Sequence, residues 1–173
     1  LVRINNIVPS HLKPITAKLR ECGIDIEAGA DFIDIDAIRK PDATDIKTMP
    51  YPGFPTDLQA PFTSMMAVSK VTRMIVETVF ENRFMHVVEL NRMGASIATT
   101  GARGAIIEGP AKLTGCEVSA TDLRAGAAMI LAGLVAEGTT TVGNLHHIDR
   151  GYEDIVGKLK GLGADIQRIS VKD

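Results

Sequence analysis

Two Thr-Asp pairs and a recurring set of arginines hold most of the chemistry available to this sequence. Thr56-Asp57-Leu58-Gln59-Ala60 and Thr121-Asp122-Leu123-Arg124-Ala125 share one pattern at an offset of 65, and Asn82-Arg83 and Asp149-Arg150 share another at an offset of 67. An aspartate at a helix mouth can take a proton from a hydroxyl as a general base, or can cap the helix by accepting its free amides. For Asp57 the residues leave both roles open, and the approach through Pro50, Pro52, Gly53 and Pro55 favours function. Asp122 lacks such an approach, and capping suits it better. Arg83 and Arg150 stand just before or at helix starts, where guanidinium and backbone amides together attract phosphate or carboxylate. The competing role for each is a surface salt bridge. Arg124 can pair with an anion or with the neighbouring Asp122.

Other chemistries have less support. His11, His86, His146 and His147 lack a second ligand at metal spacing, so no metal site is expected. Cys22 and Cys116 have no histidine beside them to activate a thiol and read as inert. Neither a GxxxxGK[ST] nor a strand-following GxGxxG is present, which removes those two routes to nucleotide binding. The net charge of −2 supplies no global basic field for nucleic acid or a membrane surface. Two cysteines are too few to staple a secreted fold, so a cytoplasmic protein is expected. No apolar run approaches the ~18 residues a membrane helix needs.

What must position these residues is a repeated unit. Leu-x-x-x-Gly-x-x-Ile occurs at Leu19/Gly23/Ile26, Leu90/Gly94/Ile97 and Leu159/Gly163/Ile166, with the glycines 71 and 69 residues apart. With the two pairs above, this makes about two and a half copies: a partial unit over about 1–36, then 37–109 and 110–173, in a single domain. In each copy a helix starts at the Thr-Asp pair and a short strand follows, over 75–79 or 139–142. A second helix then stops at the glycine, a residue suited to a left-handed conformation. A strand comes next, predicted over 164–169 in the last copy, and in the earlier copies a hairpin partner over 32–35 and 105–107. Leu123, Ala127, Ile130, Leu131 and Leu134 are the expected buried face of the helix after Asp122. The proline-rich stretch 37–56 is expected to be irregular. Strands alternating with helices at this spacing require a layered α/β fold. The opening at Leu1, straight into a strand-like run, suggests a piece of a larger protein.

Tyr51-Pro-Gly-Phe-Pro-Thr-Asp57-Leu-Gln-Ala60, Glu77-Thr-Val-Phe-Glu-Asn-Arg83-Phe-Met-His86, Ala120-Thr-Asp-Leu-Arg-Ala125 and His147-Ile-Asp-Arg150-Gly-Tyr-Glu153 carry a resemblance. Together they resemble the UDP-N-acetylglucosamine 1-carboxyvinyltransferase family of enolpyruvyl transferases, from about Leu12 onward. The resemblance implies repeated βαβαββ units forming one lobe of an inside-out α/β barrel, and it covers only part of such an enzyme. It implies transfer of the enolpyruvyl group of phosphoenolpyruvate to UDP-N-acetylglucosamine, in the peptidoglycan precursor synthesis that supports cell shape and division. No cofactor or metal is implied. Asp57 matches the sugar-contacting aspartate that is the family's proposed base, Val79 a sugar-nucleotide contact, and Arg83, Asp122, Arg124 and Arg150 charged residues around the enolpyruvyl and phosphate groups. The family's loop cysteine and lysine-asparagine pair have no counterpart here, so the chain alone is expected to be inactive and to need the other lobe. Two alternatives remain: a silent sugar-nucleotide-binding lobe, or an enzyme like 5-enolpyruvylshikimate-3-phosphate synthase. Against the family pattern, Pro61 replaces a helix-compatible polar residue, and Ser69-Lys70-Val71-Thr72 lacks an expected glycine.

Overall fold

The computed structural model describes residues 1–170. Its first sheet contains β1 (Val2–Asn5), β2 (Asp25–Ala28) and β3 (Phe32–Asp36), antiparallel in the order β1-β3-β2, with helix α1 (Lys13–Glu21) between the first two. Gly23 ends α1 at φ +78°, its N–H donating to the Arg20 carbonyl. The same left-handed stop recurs at Gly94 and Gly163, where α3 (His86–Arg92) and α6 (Ile155–Gly161) end. A side chain at these φ values is strained, and the Leu-x-x-x-Gly pattern is the trace of that constraint.

The middle of the chain runs β4 (Ile46–Lys47), α2 (Gln59–Val68), β5 (Arg73–Val76), α3, β6 (Ser96–Thr100) and β7 (Gly104–Glu108), in that βαβαββ sequence. Its sheet has the order β4-β5-β7-β6, with β4 parallel to β5 and the remaining pairs antiparallel. The order β5-β7-β6 repeats that of β1-β3-β2. β8 (Glu117–Ser119) and β9 (Thr141–Gly143) pair in parallel around α4 (Leu123–Val135), repeating β4 and β5 around α2, before α5 (His146–Asp149) and α6. The stretch 37–56 is irregular as expected, apart from β4 and isolated bridges. The strand predicted over 164–169 does not form, and these residues have no regular structure. β2 and β6, its counterparts, pair with β3 and β7 respectively, and no later strand among the described residues offers that partnership.

Helices α2 and α4 fill the centre and are buried on most sides. Such helices are apolar all round rather than along one stripe. This corrects part of the expected face of α4: Ala127 and Ile130 are buried as expected, but Leu131 and Leu134 are exposed, and Ala125, Gly126, Ala128, Met129 and Ala132 are buried besides. Small residues let the two backbones approach, and the Ser64 hydroxyl donates to the Ala128 carbonyl across the contact at 2.8 Å. A Cβ on Gly126 would lie 2.6 Å from the Ile148 side chain. Met66, Met93 and Met129 pack the core, whereas Met74 and Met85 are exposed.

Both departures from the family pattern have a structural outcome. Pro61 sits in the first turn of α2, where its missing N–H would have had no partner within the helix. In the turn that wants glycine, Val71 adopts φ +76°. For a β-branched residue this conformation costs about 1–3 kcal/mol, and glycine relieves it while adding about 0.5–1 kcal/mol of unfolded-state entropy. Val71 is 55% exposed, so little packing is lost with its side chain. Val71→Gly is therefore expected to stabilise the fold by about 1 kcal/mol in urea denaturation; an unchanged or lower midpoint would show that the turn carries no strain.

Candidate active site

The N-terminal ends of α2 and α4 lie together, and most of the sequence-predicted residues gather there. Asp57 sits in a single 3-10 turn, Thr56–Leu58, ahead of α2, and its carboxylate caps no helix amide. Its Oδ1 instead accepts from Arg124 Nε at 2.8 Å and from Nη2 at 2.6 Å. Asp122 does cap: its Oδ1 accepts from the N–H groups of Arg124, at 2.7 Å, and Ala125, at 2.9 Å. Rather than its neighbour Asp122, the Arg124 side chain pairs with the aspartate of the other copy.

Arg83 joins through Thr56. Its Nη1 donates to Thr56 Oγ1 at 3.0 Å, and its guanidinium carbon lies 4.7 Å from the centre of the Phe80 ring. Among the described residues no carboxylate is within salt-bridge distance of Arg83 or Arg150. Arg150 is exposed and makes no hydrogen bond to the other candidates. Its loop nonetheless rests on the first turn of α4, since a Cβ on Gly151 would meet Leu123 at 2.6 Å. Val79 is held by its N–H, which donates to Glu77 Oε1 at 2.8 Å.

Two residues that were not singled out for chemistry belong to this region. Tyr152 is half-buried, packed against the cluster of Ala120, Ile130 and Ile148, and burial raises its phenol pKa, Arg124 opposing and Asp57 adding to that. Glu77 is fully buried directly after β5, and its carboxylate is the acceptor for Val79, Phe80, Thr48 and Thr56. Burial pushes its pKa up, but these four hydrogen bonds outweigh that and hold it below the usual carboxylate value. The signal available in sequence was a lone charge at the end of an apolar strand.

His86, read as structural or exposed, is buried against Thr63, its ring nitrogen 3.3 Å from the hydroxyl. Burial lowers its pKa to about 4; Asp122 opposes that and Arg83 reinforces it. Burial pushes the Cys22 thiol up to about 11, in keeping with an inert cysteine. Among the described residues no cluster of three His, Cys, Asp or Glu side chains could hold a metal ion, and no helix is long and apolar enough to cross a membrane.

Repeated α/β units around buried helices, with two carboxylates and several arginines at the helix mouths, define an enzyme fold of the enolpyruvyl transferase kind. Residues 1–159 match the family described as EPSP synthase (3-phosphoshikimate 1-carboxyvinyltransferase), and the chain belongs to that family. It is 52% identical over 97% of its length to UDP-N-acetylglucosamine 1-carboxyvinyltransferase 2 of Clostridium tetani, and 55% identical over 99% to UDP-N-acetylglucosamine 1-carboxyvinyltransferase of Finegoldia magna. The chain spans 40% and 41% of those two proteins. The crystal structure of the enolpyruvyl transferase NikO from Streptomyces tendae superposes with a TM-score of 0.87 at 31% identity, covering 98% of this chain and 40% of that one. An EPSP synthase from Acinetobacter baumannii shares the fold at a TM-score of 0.62, with 21% identity over 82% of this chain and 36% of that one.

The two buried titrating groups give acid sensitivity in separate windows. An unfolded His86 binds a proton below about pH 6.5 and the folded one only below about 4, so the unfolded chain is favoured progressively as pH falls between them. Glu77 has a depressed folded pKa, so its contribution is complete above the unfolded carboxylate value and is lost only as pH falls below it. His86→Gln is expected to flatten the urea-midpoint profile between pH 6.5 and 4 while leaving the steeper loss at lower pH. An unaltered slope in the upper window would mean that His86 does not set it.

Proposed function

We propose that this chain is part of a transferase that moves the enolpyruvyl group of phosphoenolpyruvate to a hydroxyl of UDP-N-acetylglucosamine. The observation that carries the proposal is an Asp57 carboxylate free of any capping role, set beside Arg124 and Arg83 in a chain similar to enzymes of that name. Asp57 Oδ1 is engaged by Arg124, which leaves Oδ2 to accept the sugar hydroxyl proton. The hydroxyl oxygen then adds to the substituted carbon of the enol while its methylene carbon gains a proton, giving a tetrahedral intermediate. Loss of a proton from the new methyl group together with expulsion of phosphate re-forms the carbon–carbon double bond and completes the transfer.

Phosphoenolpyruvate carries a phosphate and a carboxylate close together, and cations must offset their repulsion. Arg83 and Arg150, without carboxylate partners among the described residues, suit that task, and Arg124 serves both the substrate and Asp57. Asp122 orients Arg124 by fixing its backbone, and Val79 contacts the sugar nucleotide. We further read 1–36, 37–109 and 110–173 as units of one lobe, the last three residues lying outside the described ones. The substrates would lie between this lobe and the other lobe of the transferase. On this reading the protein acts in the cytoplasm in peptidoglycan precursor synthesis, and so in cell shape and division. A binding lobe without catalysis has no observation in its favour that the enzyme lacks.

In the complete transferase, Asp57→Asn is expected to lower turnover by about 10²-fold or more, with little change in melting temperature because no cap is removed. Asp122→Asn is the control, keeping its cap and affecting turnover less. A fully active Asp57→Asn enzyme would remove Asp57 as the base. The 173-residue chain by itself is expected to release no phosphate from the two substrates, since groups from the other lobe are needed to enclose them. Phosphate release at the rate of the complete enzyme would overturn the two-lobe requirement.

A further inference from the structure

One carboxylate ties together the segments that carry the site. Glu77 Oε1 accepts from Thr48 Oγ1 at 2.7 Å and from the N–H groups of Val79, at 2.8 Å, and Phe80, at 3.1 Å; Oε2 accepts from Thr56 Oγ1 at 2.9 Å. It is 0% exposed, and among the described residues no cation lies within salt-bridge distance of it. An ionised carboxylate only accepts hydrogen bonds, so the Thr56 hydroxyl must point its proton at Glu77. Its lone pairs are then left for Arg83 Nη1, which donates to them at 3.0 Å. The other surface on which Arg83 rests, the Phe80 ring, is also held by Glu77 through its backbone.

The second copy shows the site without this hub. Thr48 and Ala120 are equivalent, each donating its N–H to the last or next strand carbonyl, Val76 and Gly143, of a parallel pair; Glu77 then corresponds to Asn144. Neither the hydroxyl nor the carboxylate is repeated. The Thr121 hydroxyl, counterpart of Thr56, is buried without a hydrogen-bond partner, and the adjacent Asp122 turns back to cap its helix. Where the hub is present, Thr56 is drawn to Glu77 and Asp57 faces outward.

We propose that Glu77 is a positioning residue, acting through Thr56 to aim the Arg83 guanidinium and to hold the Asp57 turn away from its own helix. The inference rests on the enolpyruvyl transferase reading above for the reaction that Arg83 and Asp57 serve. In Glu77→Gln the amide oxygen can keep the three donors at the Oε1 position, but the amide nitrogen then faces Thr56 and donates to it. The Thr56 proton must then turn away from residue 77, and the orientation of the hydroxyl toward Arg83 is no longer fixed by a carboxylate.

The test uses the complete transferase. Thr56→Val and Glu77→Gln are expected to lower kcat/KM for phosphoenolpyruvate by about tenfold or more, as loss of a hydrogen bond to a charged group would, while Thr56→Ser stays near the parent. In an Arg83→Ala background Thr56→Val should have no further effect, because its action passes through that arginine. A Thr56→Val enzyme equal to the parent, or one whose loss persists undiminished without Arg83, would overturn the proposal. Should Glu77→Gln fail to fold, the Thr56 variants decide the matter. Exchange of the Arg83 guanidinium protons, followed by NMR without substrate, is read in parallel: faster in Thr56→Val but not in Thr56→Ser supports the relay, and equal rates in all three overturn it. Fast exchange in an enzyme that proves to lack enolpyruvyl transfer would leave the relay standing and remove the function instead.

Discussion

Helices α2 and α4 are buried on most sides, and the close contact between them sets the rest of the structure. Their shared face is built from small residues, Ala60 and Ala67 on one side and Ala125, Ala128 and Ala132 on the other, with the Ser64 hydroxyl reaching an α4 carbonyl. Such a face has no room for bulk, which is why Leu131 and Leu134 lie outside it. Buried flanks leave the helix ends as the places where polar groups can be solvated. Because the helices belong to repeated units, equivalent ends come side by side. Asp57 of one copy thus meets Arg124 of the next, 67 positions away. The partial positive charge at two adjacent helix starts adds to the arginines in favouring anions there.

Repetition alone would have produced two equal helix mouths, and the structure makes them different. The two Thr-Asp-Leu segments differ little in sequence, yet one forms a 3-10 turn with its aspartate outward and the other forms a capped helix start. What distinguishes them is buried elsewhere: Glu77 and Thr48 in one copy, Asn144 and Ala120 in the other. A buried carboxylate with no counter-ion is costly unless its oxygens are satisfied, and Glu77 draws its donors from the segments around it. Once those donors are committed, Thr56 has one orientation left, and Asp57 follows from the chain direction.

Much of the fold was legible because it rests on local requirements. Gly23, Gly94 and Gly163 mark helix stops by their left-handed backbone, the prolines of 37–56 exclude long regular elements, and the repeat offset locates the paired helix starts. Even the missing glycine near Ser69 was visible, and Val71 accordingly sits at positive φ. The failures share a different origin, since each depends on a partner distant in sequence. A strand over 164–169 needs a neighbouring strand, the buried face of α4 is chosen by α2, and the partner of Arg124 is not its neighbour Asp122 but the distant Asp57. Glu77 was quoted only as one letter of a longer run, because nothing in its immediate sequence discloses that four donors converge on it.

The Asp57–Arg124 pair, for all its short distances, lies at the surface: the two side chains are 59% and 31% exposed. Such pairs contribute at most about 1 kcal/mol, because solvent screens the attraction and two long side chains must be held still. Weakness suits a site that has to exchange partners. On the proposed reading, Arg124 can share its guanidinium between Asp57 and an arriving anion at small cost, because the pair it would loosen is a weak one. The framework beneath shows the opposite balance. The Asp122 cap, the Ser64 bond and the Glu77 cluster are partly or fully buried and tie separate segments together through hydrogen bonds. Exchangeable contacts above fixed ones are what the proposed reaction, which gathers charge on one anionic substrate, would require of this end of the helices.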